Sequence, residues 1–136
     1  MHSARLVAAV AELGSLDHFA HMTIPSTNET EILRAQSEVV ILARSILSGT
    51  LGIVEGSRRL CSLGHALGVD RDPDFTFFVA VDSETDHLPV GEVRRHWAAD
   101  ALRRTDEELR ACESFYRDRA VRVCQSLIQR YDKPVV

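Results

Sequence analysis

The sequence contains a single lysine, Lys133, against fifteen arginines. Genome composition alone produces such a bias, and arginine also suits buried, bidentate pairing with carboxylates better than lysine does. Glycine and proline are scarce, at 7 and 4 residues, which leaves little material for flexible linkers. The three cysteines, Cys61, Cys112 and Cys124, are widely spaced and form no CxxC pair. That arrangement speaks against a disulfide framework or a zinc knuckle and suits a reducing cytoplasm. No stretch approaches the roughly 18 consecutive apolar residues that span a bilayer. The N-terminal run "LVAAVAEL" is interrupted by Glu12, and no clear cleavage pattern follows it. Neither export nor membrane insertion is therefore expected. A formal charge of −4 and a pI near 5.8 disfavour binding to nucleic acid through its phosphates.

What is present fits one globular domain over residues 1–136. The chain is 45% hydrophobic and 26% charged, within the range of ordinary folded proteins. Leu6, Val7, Val10 and Leu13 have helical spacing over residues 3–13, with Gly14 as a stop. "SLDHFAHMTIPS" reads as a connection, after which "STNE" offers a capping box through Ser26 and Glu29. Ile32, Val39, Ile46, Ile53 and Leu60 then recur every seven residues. Ala35, Leu42, Gly49, Gly56 and Leu63 fill the position three residues later. This stripe predicts one long helix over about 27–66, kinked at "SGTLG". The glycines at 49, 52 and 56, unfavourable in a helix interior, either let a partner helix approach closely or mark a break there.

In "GVDRDPDF", Asp72 is suited to cap a helix, Pro73 to open it, and Asp74 to complement its dipole. The run "FTFFVAV" has the composition of a strand. With no second strand to pair it, a short helix with Phe75, Phe78 and Val79 inward is expected. "TDEE" gives a capping box through Thr105 and Glu108. Leu109, Cys112, Tyr116, Val123, Leu127 and Tyr131 follow as a stripe, predicting a second long helix over about 104–131, with Pro134 just beyond it. The expected architecture is all-α, a helical bundle with two long helices and short connecting ones.

The densest polar stretch is "VAVDSETDHLP", with Asp82, Glu84 and Asp86 alternating and His87 following. The acids match the first positions of a calcium loop, but His87 and Val93 stand where that loop needs glycine and glutamate. "DRDPD" imitates the pattern and fails at Phe75 and Val81. Ser83 and Asp86 have capping-box spacing, so the stretch reads as a structural junction that starts a helix. Its carboxylates are expected to pair with Arg58, Arg59, Arg94 or Arg95. His18 and His21, with Asp17, have the spacing of part of a zinc site, which His87 and His96 join only through folding; surface histidines are the simpler reading. Cys61 follows Arg58 and Arg59, which favours a thiolate, yet it lies beside the apolar stripe like a buried structural cysteine. No GxSxG elbow and no phosphate-binding GxxxxGK[ST] occurs. No catalytic residue, metal ligand or cofactor is assigned.

"GIVEGSRRLCSL" (52–63) and "VAVDSETDHLPVGEVRRHW" (79–97) resemble segments of an uncharacterised family of small bacterial proteins. The resemblance implies no activity; it suggests genes of the immunity or accessory kind. Two functions follow as expectations. The first is a cytoplasmic, non-enzymatic protein-binding module whose acidic surface steers a basic, toxin-like partner. The second is an enzyme or small-ligand binder, with a polar pocket built from Glu55, Arg58, Arg59, Asp82, Glu84, Asp86, His87, Arg94 and Arg95. A homodimer formed through the glycine-bearing seam is a third.

Overall fold

Four α-helices and one 3-10 helix make up residues 27–132, the part of the chain that the computed structural model describes. They are α1 (Thr27–Ser48), α2 (Ile53–Ala66), α3 (Pro73–Thr85), the 3-10 helix η1 (Gly91–His96) and α4 (Ala99–Tyr131). No strand occurs among the described residues, as an all-α chain requires. The chain divides into two units, Met1–Ala35 and Gln36–Val136. Of the first, only the opening turns of α1 are described. The expected helix over 3–13, the Ser26 cap, the Asp17, His18 and His21 set, and Pro134 all lie outside the described residues.

The core belongs to the second unit. Val39, Leu42, Ala43 and Ile46 come from α1, and Ile53, Val54 and Leu60 from α2. Phe75, Phe77, Phe78 and Val81 come from α3, and Ala120, Val123, Cys124 and Leu127 from α4. From Val39 on, the seven-residue stripe does mark the core: Val39, Ile46, Ile53 and Leu60 are all buried, whereas Ile32 at its start is 38% exposed. The helix that carries it is not continuous, however. The predicted 27–66 helix is two helices, because Gly49 takes φ +85, a left-handed conformation that side chains disfavour and that ends helices. The loosened carbonyls find local donors: Gly49 N–H donates to Ile46 O and Leu51 N–H to Ser45 O, both at 3.1 Å. Gly56, by contrast, serves packing. A Cβ there would lie 2.5 Å from Ile46 Cδ1, so the end of α1 and the start of α2 meet only because this position is bare. At Gly56 and Gly52 the seam is thus met from within the chain, by Ile46 and Glu113, whereas none of the described residues lies within 4 Å of the place of a Cβ on Gly49.

Asp72, Pro73 and Asp74 open α3 as expected, with Asp72 accepting from Asp74 N–H at 3.0 Å. "FTFFVAV" is helical, but Phe77 rather than Val79 turns inward; Val79 is 39% exposed. Ser83 and Asp86 do not start a helix. They sit at the exit of α3, with Asp86 as its C-cap. The last helix begins five residues earlier than the predicted 104, at Ala99, and Thr105 caps nothing. Its hydroxyl bonds back to the carbonyls of Ala101 and Leu102 at 3.1 and 3.2 Å, a habit of threonine inside helices. Helix α2 packs on α3 and α4, and α3 packs on α4.

Candidate functional site

Helix α4 has no fully buried residue before Ala120. Its first twenty-odd residues meet the core through the partly buried Leu109, Cys112 and Tyr116. They are held as well by polar ties to the other elements, among them Glu84, His87 and Arg94 of the predicted site residues. Arg94 of η1 grips Asp106 with two parallel bonds of 2.7 and 2.8 Å, and also donates to Pro89 O at 3.2 Å. This fork-on-carboxylate geometry is the arginine usage foreseen from composition. It holds the Asp106 carboxyl below its ordinary range. His87 Nε2 meets Glu108 Oε2 at 2.7 Å, fixing the connection between α3 and η1.

Arg58 closes the exit of α3. One guanidinium nitrogen donates to Thr85 O and, at 2.8 Å, to Leu88 O, while Nε faces Asp82 at 3.3 Å. Cationic donors stabilise the carbonyl end of a helix in this way. At the other end of α3, Arg130 bridges Asp72 at 2.7 Å and Asp74 at 3.1 Å, lowering the Asp72 carboxyl. Ser126 adds a bond of 2.7 Å to Asp74. Helix α3 is therefore clasped at both ends and runs antiparallel to α4.

The nine predicted residues do not converge on one pocket. Arg59 faces Glu38 at 4.0 Å, Arg95 faces Glu92 at 3.5 Å, and Asp86 lies beside His87 at 3.9 Å, all on exposed surface. Glu84 accepts from the Tyr116 hydroxyl, which pushes that phenol up to about 12. Only Glu55 and Arg94 share a cleft, of about 290 Å³, with Gly91, Asp106, Arg110 and Glu113. In it, Glu113 accepts from the N–H groups of Ile53 and Val54, both at 2.8 Å. The N-cap residue Gly52 has no side chain for that role, so α4 caps α2 from outside. Glu55 has no hydrogen-bonding or ionic partner among the described residues.

The thiols are poor nucleophiles. Burial pushes Cys61 up to about 11 and Cys124 up to about 12, and burial with nearby carboxylates raises Cys112. No grouping of three or more metal-binding side chains occurs among the described residues. None of the described helices is long and apolar enough to cross a membrane.

A second cleft, of about 350 Å³, lies between α3 and α4 and was not foreseen from the sequence. Thr76, Phe77, Ala80 and Glu84 form one wall, and Phe115, Tyr116 and Arg119 the other. Its aromatic rings form a chain from core to solvent. Phe78 meets Phe77 edge-on at 5.0 Å, Phe77 meets Tyr116 at 6.0 Å, and Tyr116 meets Phe115 at 4.9 Å. Phe78 is fully buried, whereas Phe115 is 79% exposed. The Arg119 guanidinium lies over the Phe77 ring at 5.5 Å.

A family model described as "Protein of unknown function (DUF2489)" matches residues 20–127. The chain belongs to that family. Its match takes in both clefts and every polar tie from Arg58 to Glu113, and reaches Leu127 in the core. No curated protein and no solved structure matches the chain. The family resemblance seen in residues 52–63 and 79–97 therefore extends over most of the sequence. Phe115 and Arg119 escaped the sequence reading because they fall off the 109–131 stripe. A phenylalanine off the apolar stripe of a helix, followed by Arg117 and Arg119, was the signal available.

Proposed function

We propose that this protein is a non-enzymatic protein-binding module that docks its partner at the α3–α4 cleft. Phe115 carries the reading. It is a large ring left 79% exposed at the mouth of a cleft walled by Phe77, Tyr116 and Arg119. Aromatic residues and arginine dominate the energetic centres of protein interfaces. Contiguous apolar surface marks interaction sites, and Phe115 extends the apolar wall of the cleft into solvent. An immunity or accessory protein is a molecule of this kind, and the free cysteines suit a cytoplasmic setting. The acidic turns support the reading less than their composition suggested. Asp72, Asp74, Asp82 and Glu84 already have partners within the chain.

The test is a photo-crosslinking amino acid placed at position 115 and, as control, at the exposed Glu107. A partner captured at 115 and not at 107, whose binding to the purified chain is lost in Phe115→Ser, is the expected result. Capture that is equal at both positions, or binding that Phe115→Ser leaves intact, would contradict it. A second reading follows from Glu55, an unpaired carboxylate facing the other cleft near Arg110. It makes that cleft a site for a small cationic or zwitterionic ligand. A thermal-shift screen of free amines and amino acids, repeated on Glu55→Gln, decides it.

A further inference from the structure

The α3–α4 cleft combines two unmet requirements. Its apolar wall, formed by Phe77, Ala80 and Tyr116, leads to a ring, Phe115, that finds little cover among the described residues. Its cation, Arg119, lies over the Phe77 ring but has no carboxylate partner among the described residues, and Glu84 of the same cleft accepts from the Tyr116 hydroxyl instead. The complementary occupant offers a bulky apolar side chain with a carboxylate close beside it.

The chain itself presents that combination. Asp118 stands three residues after Phe115 on α4, on the same face of the helix. It is exposed and has no ion-pair partner among the described residues. Asp118 and Arg119 cannot satisfy each other, since adjacent positions on a helix do not face one another. We propose that the cleft receives Phe115 and Asp118 of a second copy of this chain, in a two-fold symmetric pair. This rests on the reading of the cleft as a docking surface and names its partner. Two-fold symmetry makes one patch serve as both donor and receptor. Asp118 of each copy then meets Arg119 of the other, and both rings leave water. The patch is self-complementary in charge, which separates it from the glycine-bearing seam, where Ile46 already occupies the space beside Gly56.

Sedimentation of the full chain over a range of concentrations tests this. The wild-type protein is expected to dimerise and Phe115→Ser to remain monomeric. Arg119→Asp and Asp118→Arg each place like charges opposite one another, and each is expected to weaken the dimer roughly tenfold or more. An equimolar mixture of those two variants restores both ion pairs and is expected to recover the dimer. All three positions are exposed, and circular dichroism verifies that each variant is folded. A wild-type chain that stays monomeric throughout overturns the second-copy proposal. The docking reading is then decided separately by crosslinking at position 115. A dimer that survives Phe115→Ser, or a mixture that fails to recover it, also overturns the proposal.

Discussion

Ile46 of α1 fills the space that a side chain on Gly56 of α2 would need, with its Cδ1 2.5 Å from the place of a Cβ. Alanine is intrinsically better than glycine inside a helix by about 1 kcal/mol. Overpacking a fitted core costs about 1–3 kcal/mol, so the clash outweighs the gain. Gly56→Ala is therefore expected to lower stability in urea denaturation. Ile46→Val removes Cδ1, the nearer of the two clashing carbons, and leaves Cγ1 at 2.9 Å, so the double variant is expected to be more stable than the sum of the two single losses. Additive losses would mean that the two residues do not press on each other.

Glu113 should be worth more to stability than its place on a half-exposed helix suggests. It satisfies two N–H groups at the start of α2 that no neighbouring side chain serves. Glu113→Ala is expected to cost about 1–2 kcal/mol, the upper range for loss of a cap. Glu113→Gln keeps an acceptor oxygen but loses the charge, and falls between. The change in denaturation midpoint of the two variants measures this.

Acid should loosen the clasp on α3. The Arg130 hydrogen bond holds the folded Asp72 carboxyl below its unfolded value of 3.8, and Arg94 does the same for Asp106. A carboxyl lowered on folding contributes stability that is complete above the unfolded value. That contribution is lost as pH falls through the lower folded value, so the loss lies below pH 3.8. Thermal unfolding between neutral pH and pH 3 is expected to show a shallower acid decline in Arg130→Gln and in Arg94→Gln than in the wild type. Parallel curves would contradict it.

Tyr116 reports the cleft from the opposite direction. Its phenol, raised from 10 to about 12 chiefly by the hydrogen bond to Glu84, favours the neutral form on folding. The stability it adds is whole below 10 and disappears as pH rises through about 12. Phenolate absorbance in alkaline titration should show Tyr116 ionising late, and Glu84→Gln should bring that step down. Tyr131→Phe, which leaves Tyr116 as the sole tyrosine, makes the assignment direct.

These residues also show how far the sequence could be read. Val39, Ile46, Ile53 and Leu60 disclosed the core because burial imposes a period that survives even a broken helix. The break itself was legible only as a glycine cost, since a left-handed Gly49 and a close-packed Gly56 look alike in a string of letters. Arg58 was singled out as a partner of the acidic turn, and it does meet Asp82. Its bonds to the carbonyls of Thr85 and Leu88, however, are backbone contacts that no residue pattern encodes. Ser83 and Asp86 had the spacing of a helix entry, but that spacing recurs by chance where polar residues gather at a helix exit. Glu113 and Arg130 act across about sixty positions of sequence, beyond any local pattern. Phe115 lies outside the buried stripe, so the period that discloses the core gives no sign of it.

The central claim is that the surface around Phe115 is covered when the protein is bound. Hydroxyl-radical footprinting of the full chain, dilute and concentrated, reads that cover at the side chain itself. The account predicts that oxidation of Phe115 falls severalfold on association, while the exposed Trp97 and Val93 react as before. Association that leaves Phe115 fully reactive, and shields Trp97 or Val93 instead, would contradict it.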